Sequence, residues 1–173
     1  MFLSRFTNTL DAKGRVSVPA DFRTAVAFDG VEYNDAFDGI IVWPSLDGKW
    51  LEGCGMALVR RYQSMLDNVQ PYDNARTAFE RAFFGESFRL SFDASGRVSL
   101  PKELAEFAKL DKQVTFVGMG ERFEIWDKAA YEVKVKLVRK LAKEARPRLQ
   151  ALAEAGAETS LARQKVSEPG RGS

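Results

Sequence analysis

Hydrophobic and polar residues alternate with a period of two in several short stretches of this chain. Phe88, Leu90 and Phe92 alternate, a turn follows, and Val98 and Leu100 alternate after it. That period predicts two strands with one buried face and turns Arg97 and Ser99 to the other side. Arg15 and Ser17 take the same places in an earlier stretch. Ile40-Ile41-Val42-Trp43, closed by Pro44, reads as a buried strand with Phe123-Glu124-Ile125-Trp126 as its counterpart; residues 114–117 are another strand, with Gly118 and Gly120 at the turn. Residues 30–38 read as loop-rich, and residues 46–56 are rich in glycine.

Helical spacing appears elsewhere. Short helices are predicted after Pro19 (20–23) and Pro101 (102–107). Leu58, Val59, Tyr62, Met65 and Leu66 form one apolar stripe; Ala75, Ala78, Phe79, Ala82 and Phe83 form a second, with Asp73 as its cap and Gly85 at its end. Asp127 is placed to cap a last helix through Val133, Leu137, Val138 and Leu141, which Pro147 is expected to kink or end. From about residue 151 a disordered tail is expected.

The strand–turn–strand stretches are two copies of one motif. Asp11-Ala-Lys-Gly-Arg-Val-Ser-Val-Pro19 returns as Asp93-Ala-Ser-Gly-Arg-Val-Ser-Leu-Pro101, identical at seven of nine positions and offset by 82 residues. Such self-similarity marks an internal duplication. Asp11 and Asp93 suit the first position of a type I turn, where a carboxylate accepts backbone N–H groups. Gly14 and Gly96 stand where a hairpin with a bulge needs positive φ. One arginine, Arg15 or Arg97, follows each turn. About 45 residues is marginal for a separate core, so the two modules are expected to interlock.

The doubled motif, together with the start Met1-Phe2-Leu3-Ser4-Arg5-Phe6 and the stretch from Leu104 to Leu110, resembles the MraZ family of bacterial transcriptional regulators. The similarity covers roughly residues 1–145; the glycine-rich 46–56 and the lead-in Glu86-Ser87-Phe88 depart from the family pattern. The resemblance implies an α+β, mainly β fold of two duplicated swapped-hairpin, AbrB/SpoVT-type half-barrels with connecting and C-terminal helices. The corresponding layout is a first domain at 1–54, a helical linker at 55–85, a second domain at 86–130, a basic helix at 131–150 and the tail at 151–173. It further implies a homo-oligomeric ring that binds double-stranded DNA at short direct repeats upstream of its own operon. The regulated genes would be the division and cell-wall cluster, with repression as the expected sense.

Composition argues for binding rather than catalysis. The chain has no histidine, which removes the commonest general base, and its lone Cys54 has no imidazole to activate it. No metal site, cofactor or phosphate-cradling loop is expected. A single cysteine fits a reducing cytosol, the N-terminus does not read as a signal peptide, and no apolar run is long enough for a membrane span. A cytoplasmic, nucleoid-associated protein is expected.

Net charge is only +2, but its distribution is uneven: residues 1–23 sum to +2, residues 29–52 to −5, and residues 131–150 hold seven Lys/Arg against two Glu. The basic stretch reads as a solvated helix face, or as a contact with DNA or an acidic neighbouring subunit. Arg15, Lys13, Arg5 and Arg97 are the candidate DNA contacts. An arginine held by a rigid turn presents a planar fork to phosphate or guanine, and a two-stranded ribbon fits a major groove. The other reading of Arg15 and Arg97 is that each pairs with Asp11 or Asp93 and locks its turn. Ser95 replaces Lys13 in the second copy, so the first module is expected to dominate DNA contact. Two further readings stand beside a regulator: a structural assembly protein that does not bind DNA, and an antitoxin-like partner binder.

Overall fold

The fold, a computed structural model, is described for residues 1–33 and 36–167. The first module runs β1 (Arg5–Thr9), β2 (Arg15–Ser17), α1 (Ala20–Tyr33), β3 (Gly39–Pro44) and β4 (Leu51–Cys54). Helices α2 (Met56–Leu66) and α3 (Asn74–Glu80) follow, and a wider π-helical turn, Arg81–Gly85, closes the second. The second module repeats the order as β5 (Phe88–Ser91), β6 (Arg97–Ser99), α4 (Lys102–Phe107), β7 (Gln113–Gly118) and β8 (Phe123–Asp127), before α5 (Lys128–Ser167). Both modules and the helices between them lie in one unit, Met1–Tyr131; Glu132–Ser173 form a second. The fold is α+β, with antiparallel pairing throughout both sheets.

The modules exchange strands. The large sheet has the order β1-β7-β8-β4-β3-β5, which reads the same from either end once the modules are interchanged. β1 therefore pairs with β7 of the other module and β5 with β3, while β2 and β6 pair with each other. Apolar alternation drives the exchange: Val16 and Val98 face each other across the β2–β6 ribbon and are both 1% exposed. Behind them lie Val18, Leu100, Ile40, Val42, Leu51, Val114, Phe116, Phe123 and Ile125. Phe22 on α1 is fully buried, with ring centroids 5.2 Å from Phe2, 5.3 Å from Phe123 and 5.7 Å from Phe6. A separate cluster of Ile41, Trp43, Cys54, Leu58 and Phe83 sits between the β3–β4 face and the linking helices.

Several expectations from sequence are corrected here. The helix after Pro19 is not one turn but runs to Tyr33, into the first four residues of the stretch read as loop; residues 34–35 lie outside the described residues. The counterpart of β3 is β7, since both follow the module's helix, and the counterpart of Phe123–Asp127 is Leu51–Cys54 inside the glycine-rich stretch. Glycine at position 53 answers to packing rather than to a loop. A Cβ there would lie 2.5 Å from the Phe123 ring and 3.2 Å from the Ile41 carbonyl.

Asp73 and Asp127 both cap their helices. Asp73 Oδ1 accepts the Ala75 and Arg76 N–H groups, and Asp127 Oδ1 accepts that of Ala130. Pro147 does not end α5, which continues to Ser167 across the segment expected to be disordered. Proline removes one hydrogen bond and crowds the preceding turn, at a cost of about 3 kcal/mol. The alanine, leucine, glutamate, lysine and arginine around it are strong helix formers. The same residue types fill much of 151–167, and a low-hydrophobicity composition does not by itself oppose helix. Residues 168–173 lie outside the described residues.

Candidate nucleic-acid interface

The two motif copies meet in one place. In the β2–β6 ribbon Arg15 stands opposite Ser99 and Ser17 opposite Arg97, while Val16 and Val98 point into the core. Alternation therefore puts Arg15, Ser17, Arg97 and Ser99 on the face away from the core, with one arginine from each copy. A turn flanks the ribbon at each end of this arrangement. Neither copy alone has this surface.

Each turn is tied internally. The Gly14 N–H donates to the Asp11 carbonyl at 2.9 Å, and the Asp11 N–H donates to the Arg15 carbonyl at 2.9 Å. Asp11 Oδ1 accepts the Lys13 and Arg15 N–H groups, both at 2.9 Å. Asp11 Oδ2 accepts Arg15 Nε and Nη2, both at 2.8 Å. The second turn repeats this. Asp93 Oδ1 takes the N–H groups of Ser95 at 2.8 Å and Arg97 at 3.0 Å, and Oδ2 takes Arg97 Nε at 2.8 Å. Gly14 and Gly96 have φ of +74° and +70°, the left-handed region where a side chain is strained. These contacts make Asp11, Gly14, Asp93 and Gly96 the frame, and they spend one edge of each guanidinium on holding it.

The turns also hold each other. Leu100 N–H donates to the Gly14 carbonyl at 2.8 Å, and Val18 N–H to the Gly96 carbonyl at 3.1 Å. Arg23, which the motif comparison did not single out, adds an asymmetry. Its Nη1 donates to the Gly96 carbonyl at 3.2 Å and the Val18 carbonyl at 3.3 Å, so α1 braces the second turn. Alanine 105 takes the equivalent place in α4 and offers the first turn no such brace. That substitution of Arg by Ala at the 82-residue offset was the one signal in the sequence.

The remaining candidates separate. Lys13 is exposed at the first turn, and its ammonium pairs with none of the described residues. Arg5 does not join the ribbon: it opens β1 opposite Val117, with its guanidinium 5.7 Å from the centre of the Tyr131 ring. Six residues of extended chain separate it from Asp11, about 20 Å at 3.3 Å per residue.

Both turn carboxyls are held below their ordinary value of 3.8, Asp11 chiefly by the Arg15 backbone N–H and then its guanidinium, Asp93 chiefly by the Arg97 backbone N–H. A depressed folded pKa stabilises the fold above the unfolded value, and that contribution disappears as pH falls through the folded value. The expected result is a melting temperature that drops as pH is lowered below about 4, in step with the carboxylate range. The double variant Asp11→Asn, Asp93→Asn should melt lower at neutral pH and show a flatter acid limb. Parallel acid limbs for the variant and the parent would show that the turns do not carry this dependence.

Fold and site together define a class: an internally duplicated α+β protein that presents paired, turn-borne arginines on a two-stranded ribbon. A model of the MraZ family, described as "MraZ protein, putative antitoxin-like", matches residues 83–149. A protein of Rickettsia bellii (strain OSU 85-389) named "Transcriptional regulator MraZ" is 42% identical over 147 residues, covering 84% of this chain and 94% of that protein. Proteins with the same name from Rickettsia canadensis (strain McKiel) and Parvibaculum lavamentivorans are 39% identical over 146 residues and 46% identical over 131. The first pair covers 84% of this chain and 94% of the relative, the second 75% and 78%. The chain belongs to the MraZ family.

Proposed function

We propose that this protein is a DNA-binding transcriptional regulator and not an enzyme. The ribbon face bearing Arg15 and Arg97 is its reading surface, and Lys13 is an added phosphate contact. The observation that carries this reading is the convergence of both motif copies on one exposed ribbon. A two-stranded ribbon is narrow enough for a major groove, where an arginine fork matches guanine O6 and N7. The relatives' name supports regulation of transcription. The finer reading is that the chain acts in the cytoplasm on the nucleoid as a homo-oligomeric ring, engaging short direct repeats before its own operon. There it represses the division and cell-wall gene cluster. Several weak tips on one assembly gain by effective concentration when their spacing matches the repeats. None of the described helices is long and apolar enough to cross a membrane.

The Asp11–Arg15 and Asp93–Arg97 pairs favour a second reading, in which the hairpins serve only assembly. Titrating labelled upstream and scrambled duplexes at several salt concentrations separates the two. Lys13→Ala is expected to lower affinity for both duplexes alike and to flatten the salt slope by about one unit per lost phosphate contact. An unchanged slope removes Lys13 from the interface, and a parent protein that binds neither duplex favours assembly alone.

A further inference from the structure

Helix α5 carries a row of cations that pair with none of the described residues. Lys136, Arg139, Lys140, Lys143 and Arg146 each have another of the five three or four positions away, which groups them along one side of a helix. All five are exposed, and none forms an ion pair with a described residue. Leu137, Leu141 and Leu152 line the opposite side, so the cations form a separate face.

Two ordinary explanations for such a row fail here. Cations are favourable in the last turn of a helix, where they meet the negative end of its dipole. This helix runs on to Ser167, about six turns beyond Arg146, so the row lies in its middle. Interleaved carboxylates would make the row an ordinary salt-bridged surface, but Glu144 is the only acidic residue between Lys136 and Arg146. Like charges three and four apart repel and oppose helix formation. The arrangement becomes favourable against a polyanion.

We infer that this face of α5 is a second DNA-contacting surface, one that grips phosphates without reading sequence. The inference rests on the proposed DNA binding and adds a site to it. From Lys136 to Arg146 the helix rises about 15 Å. Duplex DNA presents one phosphate charge per about 1.7 Å of axis, so five cations over that length meet an ample supply of partners. An anionic membrane surface is the competing polyanion. Helices that lie in a membrane interface use Trp, Phe and Leu on the apolar side, whereas residues 132–157 hold no aromatic residue. The tips would then supply register and the helix affinity, a division of labour that phosphate and base contacts ordinarily show.

The test uses the full chain with Lys136, Arg139, Lys140, Lys143 and Arg146 all replaced by glutamine, and a charge-retaining chain carrying Lys136→Arg, Lys140→Arg and Lys143→Arg. Binding to upstream and scrambled duplexes is titrated across salt, with circular dichroism and light scattering on each protein. The glutamine chain is expected to lose about two or more units of salt slope. Its affinity should fall alike for both duplexes, leaving the ratio between them intact, while the arginine chain keeps the parent slope. The milder pair Lys140→Gln, Lys143→Gln covers a misfolded fivefold variant and should lose about one to two units.

An unchanged slope in the glutamine chains overturns the inference. So does capture of phosphatidylglycerol vesicles that the parent shows and the glutamine chain loses, if the DNA slope stays put. A parent chain that binds no duplex overturns the proposed function as well. A parent that prefers upstream DNA, together with an unaltered glutamine chain, leaves the ribbon reading standing and removes only the helix.

Discussion

Replacing Phe22 by alanine is expected to cost about 3–5 kcal/mol of folding free energy, the range for truncating a large aromatic in a closed core. The ring has no exposed surface and meets Phe2, Phe6, Phe116 and Phe123 at centroid distances from 5.2 to 6.2 Å. It thereby joins the helix of the first module to strands of the second. Its place in the repeat is taken by Leu104, 82 residues on and 1% exposed. Leu104→Ala should cost less, about 2–5 kcal/mol, because a smaller side chain leaves a smaller cavity. Domains of this kind have about 5–15 kcal/mol in hand, so Phe22→Ala removes a large share. Urea unfolding followed by fluorescence and circular dichroism checks both values, with an unchanged slope confirming two-state comparison. A Phe22→Ala protein that unfolds at the parent's midpoint would mean that the exchanged strands hold without this contact.

Arg15→Ala is expected to reduce discrimination between upstream and scrambled DNA by about 1–3 kcal/mol per site, the worth of a bidentate base contact. Total affinity should fall further than with Lys13→Ala, because a fork fixed by a turn is pre-organised and a lysine stem is not. Arg97 shares the ribbon face with Arg15, so Arg97→Ala should act in the same direction. It should act more weakly, since Ser95 gives its turn no cation. Each arginine also closes its own turn through an aspartate, so loss of binding could reflect a loosened turn. Arg15→Lys separates the effects: charge is kept while the fork and the two-point grip on Asp11 are lost. Retained discrimination in Arg15→Lys would assign Arg15 to charge alone. Parent-like binding by Arg15→Ala would move the assembly-only reading ahead.

What the sequence determined by itself is the chemistry contained within a few residues. Asp11 reaches Arg15 and Asp93 reaches Arg97 over four positions, and Asp73 and Asp127 cap the helices that begin beside them. Contacts that short need little loop closure, so residue type and spacing suffice to place them. The alternation around Val16 and Val98 likewise showed which side of each strand is buried.

Only the tertiary structure decided which strands are neighbours. Thr7 meets Thr115 across 108 positions, a pairing set by burying two modules' apolar faces together and not by any local preference. The same packing made a strand of residues 51–54 within the glycine-rich 46–56, where Phe123 occupies the space a side chain at position 53 would need. It also brought Arg23 to the Gly96 carbonyl over 73 positions. Helix lengths escaped for a related reason. Loop-like composition is a weak local penalty and proline a single cost of about 3 kcal/mol, and the helix formers around Pro147 outweigh both over a 40-residue helix. The most consequential result of packing is the ribbon itself. Two turns legible 82 residues apart became one face because Val16 and Val98 are buried against each other, which leaves both arginines outside.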